Sequence, residues 1–289
     1  MTNNLPKVFV FGAGVTGNVL LPEIIKNYQV IAFLDNDKFK WGTSINQSIN
    51  QSIPILNPNV ILEPNLKYDA IIVTVLSGMS TITTQLLDMG VERVKIITEY
   101  IDFFVKSRIM FLECLKEIFK DRDISGCVAE GGVFQGEFAQ QINRIFPQSK
   151  FYLFDTFDGF DKRDINVEQN NSYSKAMAND FGITSEQLVL SKLPYPDMCV
   201  LKKGYFPETA EGIDEQFCFV NLDFDLYNPI LAGLEFFVPR MVSGGVILIH
   251  DYFNSEFQGV KKAVKDFENK VGKLNLFPIG DGYSIAIQC

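Results

Sequence analysis

Two short segments concentrate the acidic and imidazole chemistry of this chain. Asp223-Phe-Asp225-Leu-Tyr227 places two carboxylates two residues apart behind the apolar run FCFVNL. At the end of a strand that spacing lets both point toward one cleft. Carboxylates so close repel each other unless a cation or a proton neutralises one. His250-Asp251-Tyr252 follows a second apolar run, GVILI, and His250 is the only histidine in the sequence. Two strand ends would thus deliver three carboxylates and an imidazole. Such a set suits a divalent ion that acidifies a substrate hydroxyl, or a base-and-orienter pair without metal. The plainer role for these aspartates is to cap the helices that follow.

Two glycine-rich turns form a second kind of signal. Glu130-Gly-Gly132-Val-Phe-Gln-Gly136 follows the run CVA, and Asp155 ends the next strand, FYLF. In open α/β sheets ligands bind beyond the carboxyl ends of strands, where glycines let them approach the backbone. An acid about 20 residues further on can accept ribose hydroxyls. Glu130 suits a ligand bearing an ammonium group and suits a pyrophosphate poorly. Near the start, Gly12-Ala-Gly14-Val-Thr-Gly17 follows KVFVF, and Asp35 sits at the spacing of a ribose-binding acid. That pattern is the dinucleotide fingerprint, yet no acid–base set of a dehydrogenase accompanies it.

The positioning elements follow from periodicity. Short apolar strands alternate with helical segments from Lys7 to Ile97, which predicts a small parallel α/β domain over residues 1–100. Ser44 to Ser52 holds a tandem SINQ repeat, polar enough for an exposed loop. Ile101 to Lys120 predicts a helical connector, assigned to 101–122, with an apolar face of Phe104, Ile109, Leu112, Leu115 and Phe119. The alternation restarts over 123–289 and ends in a hairpin, Leu274–Phe277 with Tyr283–Ile287. Two Rossmann-like α/β domains result, the second a doubly wound sheet with an antiparallel edge. Thr156 to Pro196 interrupts the second domain and is long enough for a lid, with Lys162, Arg163, Tyr173 and Lys175 as candidate substrate contacts.

Bulk properties narrow the field. A net charge of −9 argues against nucleic acid and anionic membrane surfaces as partners. Five cysteines without a CxxC exclude zinc-ribbon and thioredoxin readings and predict reduced thiols in the cytoplasm. No signal peptide or membrane-length apolar run is expected. A homo-oligomer stays open.

In order, EGGVFQGEFA, FDTFDGF, KKGYFPET, NLDFDLY and SGGVILIHDYF resemble the TylF/MycF-like (macrocin O-methyltransferase type) S-adenosylmethionine-dependent methyltransferases, over about Ile124 to Phe267. The resemblance implies a class I methyltransferase fold and transfer of a methyl group to a hydroxyl, often on sugars of natural products or glycans. It implies that Glu130, Gly132 and Gly136 line the methionine end of S-adenosylmethionine. Asp155 would take the ribose, with Thr156 and Phe157 beside it and Asp223 at the cofactor edge. Asp225, His250 and Asp251 would hold a divalent metal, magnesium or manganese, with Asp225 or His250 as base. This chain departs from the family in one place: His250-Asp251 stands where two aspartates are common, and imidazole is a weaker magnesium ligand than carboxylate. The N-terminal domain resembles the Rossmann-like partners of sugar-modifying enzymes, with Gly12, Gly14, Gly17 and Asp35 as a candidate site for NAD or a nucleotide-sugar. The rival readings are a nucleotide-sensing binding protein with a degenerate methyltransferase domain, and a bifunctional enzyme with an NAD(P)-using first domain.

Overall fold

The computed structural model describes residues 5–46, 52–75 and 79–289, in two units, 1–106 and 107–289. In the first unit β1 (Lys7–Phe11), α1 (Val15–Asn27) and β2 (Gln29–Leu34) open a six-stranded sheet. β3 (Ser44–Asn46) and β4 (Ser52–Leu56) follow, then β5 (Ala70–Val73), α2 (Met79–Asp88) and β6 (Ile96–Ile97). The strand order is β3-β4-β2-β1-β5-β6, parallel except for the β3–β4 pair. The loop expected over the SINQ repeat is corrected at its flanks, which pair as antiparallel strands, Ile45 opposite Ile53. In β4 the alternating Ile53 and Ile55 are buried on one face, a pattern that the polar repeat before it hid. Residues 47–51 of the repeat lie outside the described residues.

The helix α3 (Glu99–Asp121) contains the boundary between the units. From Ser107 onward it is part of the second unit, where Leu112, Leu115 and Phe119 are buried in the core. The connector is therefore a packing element as well.

The second unit continues with β7 (Cys127–Gly131), α4 (Glu137–Ile145), β8 (Phe151–Asp155), α5 (Lys162–Asn171), α6 (Glu186–Lys192) and β9 (Cys199–Lys203). Then come β10 (Phe217–Leu222), α7 (Tyr227–Phe237), β11 (Met241–Ile249), α8 (Gln258–Val271), β12 (Asn275–Pro278) and β13 (Ile285–Gln288). The seven strands lie in the order β12-β13-β11-β10-β7-β8-β9. β13 runs antiparallel to β11 and to β12, and the other pairs are parallel. This is a doubly wound sheet whose order reverses beside β7, the position where ligands bind in such folds. Alternate residues of each strand feed two cores. Val128, Phe219 and Leu248 face α3 and α4, whereas Ala129, Val220 and Ile247 face α7 and α8. Because both faces are buried, these strands read as continuous apolar runs. The expected lid contains α5 and α6 rather than loop alone.

Candidate active site

The turn after β7 is built to let other chain segments come close. Gly132 has φ +81°, and a Cβ there would stand 2.0 Å from the Asp223 carbonyl oxygen. Gly136 has φ +84° and forms the N-terminal cap position of α4. Asp155, at the end of β8, holds this turn: one carboxylate oxygen accepts the Val133 and Phe134 amides at 2.7 and 2.9 Å. The other accepts the Phe157 amide at 2.7 Å. The proposed ribose acid is thus already engaged by backbone: two amides fill the sites on Oδ2, and Oδ1, with one amide, keeps the freer lone pair. Phe157 is buried among apolar neighbours, and Thr156 Oγ1 donates to the Gly159 carbonyl. The lid lies against the turn, with Gln135 Nε2 donating to the Ile183 carbonyl at 2.7 Å and Phe181 set edge-on to Phe134.

Glu130 on β7 is buried, and Asn221 Nδ2 donates to its Oε1 at 2.9 Å. Its Oε2 is buried without a partner. Burial, with the Asp223 charge adding to it, pushes the Glu130 carboxyl well above its ordinary value.

Beyond β10 and β11 the acids meet the histidine. His250 Nδ1 lies 3.0 Å from Asp223 Oδ1 and 2.9 Å from Asp251 Oδ2, and its ring stacks on Tyr283. Burial opposes the charged imidazolium, but the two carboxylates outweigh it and raise His250 to about 10. Against its own burial, the same contact holds Asp251 well below the usual carboxylate range. Asp225 goes the other way: burial and the neighbouring Asp251 charge push it well up, and the two carboxyls share a hydrogen bond. Asp225 and Asp251 both have left-handed backbone, φ +62° and +59°, a conformation that aspartate tolerates and that recurs at functional sites.

Potential ligand atoms of Asp223, His250 and Asp251 lie within 4.8 Å of one another. The sequence grouped Asp225 with His250 and Asp251; the compact donor set has Asp223 in that place, with Asp225 bonded to its edge. Two carboxyls that must share a proton fit a cation site chemically. The donor set is mixed, with one imidazole nitrogen already committed to carboxylates.

Sequence reasoning missed two participants. Arg108 on α3 donates from Nη2 to Asp223 Oδ2 at 3.1 Å, is 3.4 Å from Asn221 Oδ1, and lies over the Phe138 ring at 4.0 Å. Asn221 was hidden inside an apolar strand. Its polarity in a fully buried run was the available signal. No comparable local signal marked Arg108, which acts across 115 residues.

The turn of the first unit differs. A Cβ on Gly17 would stand 2.1 Å from the Gly12 carbonyl oxygen, and one on Gly12 2.7 Å from Val75 Cγ2. Thr74 Oγ1 donates to the carbonyls of Phe11 and Gly12. Gly14 precedes α1 with extended backbone. Asp35 accepts the Ala13 amide at 2.9 Å and the Asp37 amide at 2.8 Å, and pairs with Lys40 at 3.1 Å. The four residues proposed as a nucleotide site do come together, but the chain itself occupies Asp35.

The family profile described as macrocin-O-methyltransferase (TylF) matches residues 104–276. A second profile, C2185-like, N-terminal, matches residues 4–97. No curated protein matches the chain. Among solved structures it is similar to the O-methyltransferase NovP, at 20% identity over 63% of this chain and 79% of that one, with TM-score 0.51. It is also similar to CalS11, a calicheamicin methyltransferase, at 17% identity over 73% and 91%, with TM-score 0.54. At these identities the two structures support the fold.

Proposed function

Since the chain belongs to the macrocin-O-methyltransferase (TylF) family and is an S-adenosylmethionine-dependent O-methyltransferase, we propose that it methylates a sugar or glycoside hydroxyl with the help of a divalent cation. The observation that carries the mechanism is the convergence of Asp223, Asp225, His250 and Asp251 at two adjacent strand ends. The family resemblance supports the acceptor class.

Bound at the β7 turn, S-adenosylmethionine supplies an electrophilic methyl group on sulfur. Glu130 would take the ammonium of its methionine end, which gives the orphaned Oε2 a partner. Asp155 would share its oxygens between the turn amides and the ribose hydroxyls, with Thr156 and Phe157 flanking. Asp225 would be the base once a cation among these acids replaces the proton it shares with Asp251, which leaves a carboxylate to accept the acceptor hydroxyl's proton as that oxygen attacks the methyl group and the sulfur leaves as the thioether. His250 orients rather than abstracts, because the two carboxylates on its Nδ1 raise it to about 10 and keep it an imidazolium, with no nitrogen lone pair left to accept a proton. A divalent cation, magnesium or manganese, held among Asp223, Asp225, His250 and Asp251 would lower the pKa of the hydroxyl.

Label transfer from S-adenosylmethionine to a panel of nucleotide-linked sugars and glycosides tests this reading. Transfer to a sugar hydroxyl is expected, lost with a chelator and restored by magnesium or manganese. Transfer confined to phenols would overturn the acceptor class, and full activity in chelator would overturn the cation. Absence of S-adenosylhomocysteine binding would sink the whole reading.

For the first unit a structural role is favoured, because Lys40 neutralises Asp35, whereas among the described residues no cation pairs with Asp155. Nucleotide-sensing and NAD(P)-using readings predict saturable binding of NADH or a nucleotide-sugar. Calorimetric titration with each probe separates them, and no saturable heat is expected. Among the described residues no helix is long and apolar enough to cross a membrane.

A further inference from the structure

Around β7 and β10, two buried side-chain atoms of opposite character have no partner: Glu130 Oε2, an acceptor, and Arg108 Nε, a donor. They belong to one network. Asn221 donates to Glu130 Oε1 at 2.9 Å and presents Oδ1 to Arg108 Nη2 at 3.4 Å. Arg108 cannot turn away freely, since Nη2 is paired with Asp223 and the Phe138 ring covers the face of the guanidinium. Leaving both a carboxylate oxygen and a guanidinium N–H buried and unpaired is costly. One ligand group relieves both at once, an α-amino acid end with its ammonium and its carboxylate. In S-adenosylmethionine only the methionine end has that pair of charges.

We infer that Arg108, contributed by α3, binds the α-carboxylate of the cofactor's methionine end, opposite Glu130, which binds its ammonium. The inference rests on the methyltransferase reading. It also assigns α3 a task, because the helix joining the two units then supplies part of the cofactor site. The competing role for Arg108 is structural: it would neutralise Asp223 and touch no ligand.

Two probes separate these roles, S-adenosylhomocysteine and its decarboxylated counterpart, S-adenosyl-3-thiopropylamine, titrated calorimetrically into the full chain. The wild type is expected to prefer S-adenosylhomocysteine by about tenfold to a hundredfold, the worth of a hydrogen bond to a charged group. In Arg108→Gln that preference collapses toward unity, mainly through weaker S-adenosylhomocysteine binding. Glu130→Gln weakens both probes by similar factors, because both keep the ammonium. Should Arg108→Gln fold poorly, Arg108→Lys keeps the charge beside Asp223 and is expected to lose part of the preference. Equal weakening of both probes by the Arg108 variants, or an unchanged preference, would overturn the assignment. A wild type that binds neither probe would instead overturn the methyltransferase reading itself.

Discussion

The two glycine-rich turns of this chain are built alike and finished differently. Each follows the first strand of its sheet, opens a helix, and is tied by an acid at the end of the second strand, Asp35 to Ala13 and Asp155 to Val133 and Phe134. In the first unit no buried side-chain nitrogen or oxygen among the described residues is left without a partner. Lys40 pairs with Asp35, Trp41 Nε1 donates to the Asp35 carbonyl, and Thr74 fills the space over the turn. In the second unit the bonding stops short. Among the described residues every buried side-chain nitrogen or oxygen without a partner lies in that unit, Glu130, Arg108 and His250 among them. A glycine motif marks close backbone approach, and the unfinished polar atoms around it indicate where a ligand belongs.

Turnover should show the widest gap between the turns. Asp225→Asn removes the proposed base and should lower kcat by about a hundredfold to ten-thousandfold, with S-adenosylhomocysteine affinity within about threefold of wild type. Asp35→Asn should cost stability and leave kcat unchanged. A large kcat loss in Asp35→Asn would break the contrast by tying the first turn to catalysis.

A matched pair of glycine substitutions sharpens it. Gly132→Ala and Gly17→Ala each place a Cβ about 2 Å from a carbonyl oxygen. Both should destabilise by roughly 1–3 kcal/mol, read as a fall in denaturation midpoint. Only Gly132→Ala should also weaken S-adenosylhomocysteine, by tenfold or more. Equal affinities in the two variants would mean that the β7 turn, like the first one, serves packing alone.

Much of this contrast lies beyond sequence patterns. Buried strands such as FCFVNL and GVILI were legible because a sheet covered on both faces demands continuous apolar runs. The strand-end acids were legible from their position after those runs. What distinguishes the turns was not. GAGVTG with Asp35 and EGGVFQG with Asp155 have the same local grammar, and the neutralising Lys40 looks like any surface lysine. Arg108 was hidden for a related reason. On α3 the apolar residues set the periodicity, and its partners Asn221 and Asp223 are more than a hundred residues away. The short strands at the two ends of the SINQ repeat escaped because the polar residues between them masked the isoleucines Ile45, Ile53 and Ile55.

The smallest expected effect tests the idea of unfinished bonding most directly, through stability rather than activity. In the ligand-free chain burial, reinforced by the Asp223 charge, raises the Glu130 carboxyl well above its ordinary value. The folded state therefore prefers Glu130 protonated, whereas the unfolded chain ionises it first. That contribution is fully present below the unfolded pKa and is lost as pH rises through the folded one. Glutamine cannot ionise, so Glu130→Gln should escape the loss. Its ligand-free Tm should match wild type near pH 4 and exceed it by a few degrees at pH 8. The same substitution should weaken S-adenosylhomocysteine, because the ammonium loses its counter-charge. A variant that gains stability while losing ligand would show that Glu130 is retained for binding at the fold's expense. If its melting curve tracked wild type at every pH, Glu130 would be as well satisfied without ligand as Asp35, and the difference between the two turns would have to lie elsewhere.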